Sequence, residues 1–321
     1  MVSGVTLGGK FCFEIGRLMT DQQVILLDGG MGQELVKRGA AEDSPIWGAQ
    51  VLIDSPDLVR ELHVEYIKAG AKVITLNSYS LTPERLVRAN AVDKLSELQT
   101  RAFELAALAR DEAGVADVKI AASLPPLVGS YHPESTPEIE DALKSYRMIV
   151  DSQAENVDLF ICETMCCIKE AKAAGLAASE SDKPYWMAFS VSDECTGALR
   201  SEESIVDAYN AIANTSPQSV LLNCSLPEAI DAAWAHVKKL DLPVGAYANG
   251  FTSISAMPIG GGVEMLKART DLGPEQYAAA AMQWVNGGAA VIGGCCEISP
   301  AHINRLASVL SESGIGIVSE L

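Results

Sequence analysis

The stretch "AAVIGGCC" (289–296), followed by "SPAHINRLASVLSES" (299–313), completes a pattern that the chain repeats from near its start. A short, almost continuous apolar run reaches a polar or glycine-rich break, and a segment with helical spacing follows. Toward the N-terminus, "PVGAYANG" precedes "PEQYAAAAMQWVNGG", "SVLLNCS" precedes "LPEAIDAAWAHVKKL", and "YWMAFSVS" precedes "EESIVDAYNAIANT". "DLFICET" leads to "CIKEAKAAGLAASE", and "VKIAASLPPL" to "TPEIEDALKSYRMIVDSQAENV", where Thr136, Pro137 and Glu138 read as an N-cap and first turn. "KVITLNSY" (72–79) precedes a helix whose core stripe is expected at Leu95, Leu98, Ala102, Leu105 and Leu108. "VILLDGG" (24–30) precedes "DLVRELHVEYIKAGA", with Leu58, Leu62 and Tyr66 on one face. Strands covered on both faces lose the apolar-polar alternation of a half-solvated sheet, so this series implies a parallel sheet wrapped in helices. Eight strand-helix pairs are the number that closes such a sheet, and the expected fold is α/β, a single-domain (β/α)8 TIM barrel. An open doubly wound sheet is the competing architecture, but no G-x-G-x-x-G follows the first strand.

The chain has 321 residues, 48% of them hydrophobic but only 6% aromatic, so Ala, Val, Ile and Leu must fill its core. A formal charge of -18 without a Lys/Arg cluster repels a phosphate backbone, which excludes nucleic acid as a partner. No long apolar run suggests a membrane span. Residues 1–20 read as a poorly ordered N-terminal extension, and residues 21–321 as the barrel domain, because no linker-like tract divides them. Loops 31–56 and 250–273 are longer than connection requires and are expected over the active face. Eight cysteines, two pairs of them adjacent in sequence, suit a reducing, cytoplasmic setting better than a disulfide framework.

Catalytic groups in such barrels sit at the C-terminal ends of strands. There the sequence places Asp28, Asn77, Glu163, Asn223 with Cys224, Asn249, and Cys295 with Cys296. Any one of these cysteines alone would read as a small buried hydrophobe. Three on one rim, two of them adjacent behind Gly293 and Gly294, point to a three-thiolate site with an open fourth position, suited to Zn2+. The two glycines are expected to adopt backbone angles that turn both neighbours inward. Three thiolates make such a centre weak for hydrolysis but able to keep an incoming thiol deprotonated. His63, His236 and His302 fall inside expected helices as solvated or interface residues and His132 in a loop, which disfavours His-based hydrolysis.

Asp28 and Glu163 suit an ammonium, a metal or a base role, with a turn residue and a first-turn helix carboxylate as the structural alternatives. If the incoming thiol belongs to an amino acid, they fit its ammonium, and the amides of Gly29, Gly30 and Met31 fit its carboxylate. Asn77 and Asn223 complete the expected substrate-binding set. Cys162, Cys166 and Cys167 do not have the usual C-x2-C spacing and read as packing residues; Cys12 and Cys195 carry no chemical signal.

With "LDGGMGQEL", "NSY", "CET", "LNCS", "YAN" and "GGCC", the sequence resembles the homocysteine S-methyltransferase family from about Val24 to about Leu310. These are zinc enzymes that pass a methyl group from an onium or folate donor to the homocysteine thiol. The resemblance implies a (β/α)8 barrel, metal ligands at Cys224, Cys295 and Cys296, and homocysteine-binding carboxylates at Asp28 and Glu163. The chain ends directly after its eighth helix and is similar in length to compact members that use S-methylmethionine or S-adenosylmethionine. A sulfonium donor is therefore expected, with methionine as product and a monomer or small homo-oligomer as the working form. Betaine- or folate-dependent transfer, and a non-catalytic zinc- and thiol-binding barrel, are the alternatives. Two segments depart from the family pattern: "SLPPLVGSYHPES" stands where many members have a Gly-Pro-Tyr-Gly-type segment, and "YANGF" replaces Tyr-Pro-Asn-Ser-Gly. Both lie on loops expected to shape the donor pocket.

Overall fold

Eight strands run where the sequence pattern puts them: β1 (Gln23–Leu26), β2 (Val73–Thr75), β3 (Lys119–Leu124), β4 (Leu159–Met165), β5 (Tyr185–Phe189), β6 (Ser219–Asn223), β7 (Val244–Tyr247) and β8 (Val291–Ile292). All pair in parallel and in chain order from β2 to β8, and β8 pairs with β1 through Ile25–Val291 and Leu26–Ile292. The ring closes where Leu27 bridges Val73, with Lys72 N donating to Leu26 O (2.7 Å) and Asp28 N to Val73 O (3.1 Å). The result is the expected (β/α)8 barrel. This computed structural model describes residues 22–40, 49–254, 257–259 and 266–321, so the expected extension at 1–20, with Cys12, lies outside the described residues.

The first connection carries α1 (Met31–Lys37), α2 (Val51–Asp54) and α3 (Pro56–Ala69), and the second α4 (Pro83–Arg88) and α5 (Leu95–Ala113). After β3 to β8 come α6 (Ile139–Gln153), α7 (Ile168–Ser179), α8 (Ile205–Ile212), α9 (Pro227–Val237), α10 (Pro274–Asn286) and α11 (Pro300–Glu312). A ninth strand, β9 (Gly316–Val318), follows α11 and was not expected. It pairs with β1 through Gln23–Gly316 to Ile25–Val318, on the edge opposite β8 and below the point where β1 meets β2. Three residues with only two β-branched side chains leave little periodicity to read. No helix among the described residues is long and apolar enough to cross a membrane.

Successive strand residues face opposite ways and feed two separate clusters. Ile25, Leu27, Ala121, Leu159, Ile161 and Leu221 pack together inside the ring, while Leu26, Ala122, Phe160, Cys162 and Leu222 pack with the helices. The same parity sends Ser123, Glu163 and Asn223 inward at the top of the barrel and Cys162 outward into the helix layer.

Two local expectations need correction. On α5 the stripe runs through Leu105, Ala106 and Ala109, while Leu108 is exposed, because a 3.6-residue period drifts off a strict three-residue step. Helix α6 starts at Ile139 with no side-chain cap, and the Thr136 hydroxyl instead donates to buried Glu170 Oε1 (3.0 Å). Of the solvated and interface readings, His63 takes the interface one, fully buried in α3, and His302 completes a capping box with Ser299 at the start of α11.

Neither ring nitrogen of His63 has a hydrogen-bond partner among the described residues, and burial pushes its pKa down to about 3. The unfolded imidazole takes up a proton near pH 6.5 and the folded one does not, so stability falls as pH drops from about 6.5 toward 3, by at most about 1.4 kcal/mol per unit. His63→Leu removes this dependence. Urea denaturation of both proteins from pH 7 to 4 should show a stability difference that widens in the variant's favour with acid; parallel curves would contradict it.

Candidate thiol and carboxylate site

Cys224 directly follows β6 and leaves the strand with φ 46, a left-handed conformation that costs a non-glycine residue about 1 kcal/mol. Its surroundings hold it there: its N–H donates to Tyr247 O (3.1 Å), and its carbonyl accepts from Ser190 Oγ and Arg200 Nη2, both at 3.4 Å. Beyond β8, Cys295 N donates to Ala248 O and Gly250 N to Cys296 O, each at 2.9 Å, which fastens the thiol turn to the strand 7 exit. The turn is completed by Glu297 at φ 67 and by Ile298 N donating to Cys295 O (3.1 Å). Both cysteines after Gly293 and Gly294 turn toward Cys224 as expected, and neither glycine takes a left-handed angle to allow it. The glycines are needed for closeness: a Cβ would lie 2.4 Å from Leu27 Cβ at the first and 2.3 Å from Ile298 Cγ2 at the second.

The three sulfurs all lie within 4.8 Å of one another, Cys224 buried and the other two half-buried. Cys224 Sγ is 2.8 Å from Cys295 Sγ and 3.8 Å from Cys296 Sγ. A tetrahedral site with metal–sulfur bonds of about 2.3 Å has sulfur–sulfur edges of about 3.8 Å. One edge already fits and the other opens by about 1 Å. Hydrogen bonds from Cys295, Cys296 and Tyr131 hold the Cys224 thiol well below its ordinary range, while the two donor cysteines are pushed up.

Glu163 sits just before a break in β4, where Thr164 takes φ 62 and the register with β5 shifts between Cys162 and Met165. Asn223 holds that break. Its Oδ1 accepts from Thr164 N (2.9 Å) and its Nδ2 donates to Thr164 Oγ1 (3.0 Å). Asn223 is fully buried, is not among the residues lining the cavity, and bonds Thr164, the chain neighbour of Glu163. Ser123 donates to Glu163 Oε1, and burial still raises the Glu163 pKa to about 7. Asp28 accepts from Thr75 N (2.7 Å) and Thr75 Oγ1 (3.3 Å), yet burial, with Glu163 nearby, lifts it to about 8.

The cavity between these groups is lined by the expected Asp28, Gly29, Gly30, Met31, Asn77 and Glu163 together with all three cysteines. Gly30 N already donates to Ile298 O (2.9 Å), so of the three expected amides those of Gly29 and Met31 are the candidates for a ligand. Tyr79, Tyr131, Tyr247 and Met257 also line it, and no Lys, Arg or His is among the described lining residues. Sequence reasoning missed the tyrosines, Ser123, Thr75 and Arg200. Tyr131 lies in the divergent "SYHPES" segment, which was a usable signal; Arg200 stands in a loop without a motif. Cys166 and Cys167 are buried, Cys195 is exposed, and none of them joins the thiol cluster.

The closed parallel barrel thus carries three clustered thiols and two buried carboxylates in one cavity at its C-terminal mouth. The chain belongs to the homocysteine S-methyltransferase family, whose sequence profile matches residues 25–310. It is thus a methyltransferase of homocysteine. It is 31% identical to the homocysteine S-methyltransferase of Escherichia coli K12 over 90% of this chain and 96% of that one. Homocysteine S-methyltransferase 4 of Zea mays is 27% identical, with 90% of each chain covered. The crystal structure of the homocysteine methyltransferase MmuM from Escherichia coli in its metallated form superposes with a TM-score of 0.75 at 26% identity, covering 90% of this chain and 97% of MmuM.

The close packing of the two glycine pairs yields a test. A Cβ at Gly30 would stand 2.7 Å from Cys295 O and 3.0 Å from Cys296 Cα, both backbone atoms that cannot swing aside. Gly30→Ala is expected to cost about 1–3 kcal/mol in urea denaturation. A variant as stable as the wild type would refute this packing of the first strand exit against the thiol turn.

Proposed function

We propose that the chain moves a methyl group from a sulfonium donor, S-methylmethionine or S-adenosylmethionine, to the homocysteine thiol, giving methionine, with Zn2+ held by Cys224, Cys295 and Cys296. The observation that carries this reading is the meeting of three thiols and two buried carboxylates in a cavity whose described lining offers no cation. When bound, Zn2+ supplies the positive centre that keeps a thiol deprotonated and nucleophilic at neutral pH.

The chain's own groups do the rest. Asp28 and Glu163 take the substrate's ammonium, which restores the ionised state that burial opposes in both. The amides of Gly29 and Met31 take its carboxylate, Asn77 lies at the same wall, and Asn223 keeps Glu163 aimed through Thr164. The homocysteine sulfur then attacks the methyl carbon in line; a sulfur–carbon bond forms as the donor's breaks, and the donor leaves as a neutral thioether. Opposite charges vanish in this step, so an apolar, water-poor cavity favours it. The described lining offers a cationic donor no positive side chain to repel it, whereas an anionic folate tail would find no lysine or arginine there. Free thiols at the mouth fit a reducing compartment such as the cytoplasm.

Metal quantification on the purified chain, beside a methylation panel with S-methylmethionine, S-adenosylmethionine, betaine and methyl-folate, tests the reading. Zinc and turnover with a sulfonium donor are expected. A zinc-loaded protein active only with betaine or methyl-folate would overturn the donor assignment. Cys224→Ser is expected to lose both zinc and activity, and a variant retaining both would remove the metal site. Glu163→Gln should raise the KM for homocysteine about 10- to 100-fold with zinc retained; an unchanged KM would refute its ammonium role.

A further inference from the structure

The loop after β3 brings Tyr131 onto the thiol cluster, with its hydroxyl 2.9 Å from Cys224 Sγ. Tyr131 adopts φ 68, so its placement costs backbone energy that its neighbours must offset. One neighbour is Arg200, whose guanidinium carbon lies 4.9 Å from the centre of the Tyr131 ring. Arg200 is itself pinned: both terminal nitrogens reach Asp193 at 3.2 Å, and Nε donates to Ser190 Oγ (2.7 Å). The same guanidinium reaches the Cys224 carbonyl at 3.4 Å. Cys224 is therefore tied at its sulfur by a phenol and at its carbonyl by an arginine, and those two groups stack on each other.

We propose that Tyr131 is a positioning residue that donates its hydroxyl proton to the Cys224 thiolate in the metal-loaded enzyme, with Arg200 as the strut that holds it there. The inference rests on the metal reading given above. A hydrogen bond draws charge from that one thiolate, so the ion retains more positive character toward an incoming thiol. It also fixes the Cys224 side chain on a backbone that would otherwise relax. Phenylalanine at this position fills the same space on Arg200 and can do neither.

The test uses the full chain loaded with cobalt(II), whose thiolate-to-metal charge-transfer band reports on sulfur donor strength. In Tyr131→Phe the cobalt stoichiometry should match the wild type while the near-ultraviolet band moves to longer wavelength, because a thiolate without a hydrogen bond gives up an electron more readily. The zinc-loaded variant should bind homocysteine about 3- to 10-fold more weakly. An unmoved band with cobalt bound would overturn the proposal. If Tyr131→Phe does not fold, Arg200→Gln serves: loss of the strut should shift the same band in the same direction, and a wild-type spectrum would refute the role. A wild-type chain that takes up no cobalt would contradict the metal site itself, which separates failure of that reading from failure of this one.

Discussion

Five acidic side chains meet at the mouth of this barrel, Asp28, Glu163, Cys224, Cys295 and Cys296, and the described residues lining the cavity include no lysine, arginine or histidine to balance them. Burying ionisable groups without partners is costly, and proteins respond by holding them neutral until a partner arrives. The two carboxylates show that response in their raised pKa values. The thiols show it as a cluster in which only the Cys224 sulfur is held low, by hydrogen bonds from its neighbours. On the proposed reading a cation among the thiols and an ammonium between the carboxylates would supply the missing charge, and the two deficits lie within one cavity.

The geometry that creates this deficit is strained. Tyr131, Thr164, Cys224 and Glu297 all take positive φ, and all four stand at or beside the site. Such conformations cost of order 1–3 kcal/mol each and persist where the surroundings over-determine them. Here the determinants are identifiable: Asn223 for Thr164, Ser190 and Arg200 for Cys224, the Arg200 face for Tyr131, and the Cys295–Ile298 turn for Glu297. Asn223, Ser190 and Arg200, none of which lines the cavity, thus hold residues at or beside it.

That division explains what the sequence made legible. Apolar runs alternating with amphipathic helices revealed the barrel, because burial on both faces leaves a compositional mark. The rim residues were found from their position at strand ends, and Cys224, Cys295 and Cys296 do meet in space although 71 residues separate the first two. The supporting groups stayed hidden because a hydrogen bond from Tyr131 or Arg200 depends on loop paths that no periodicity encodes. Gly293 and Gly294 are required by closeness: glycine appears both where φ is positive and where a Cβ has no room, and the sequence does not distinguish these. Asn223 was read as a ligand contact because its strand-end position matches that of Glu163, whereas the fold turns its amide onto Thr164.

The most direct measurement is zinc-edge X-ray absorption on the purified full chain, with and without homocysteine. The arrangement of Cys224, Cys295 and Cys296 predicts three sulfur neighbours at about 2.3 Å and a fourth when homocysteine is added. A shell dominated by nitrogen and oxygen, or one unchanged by homocysteine, would contradict it.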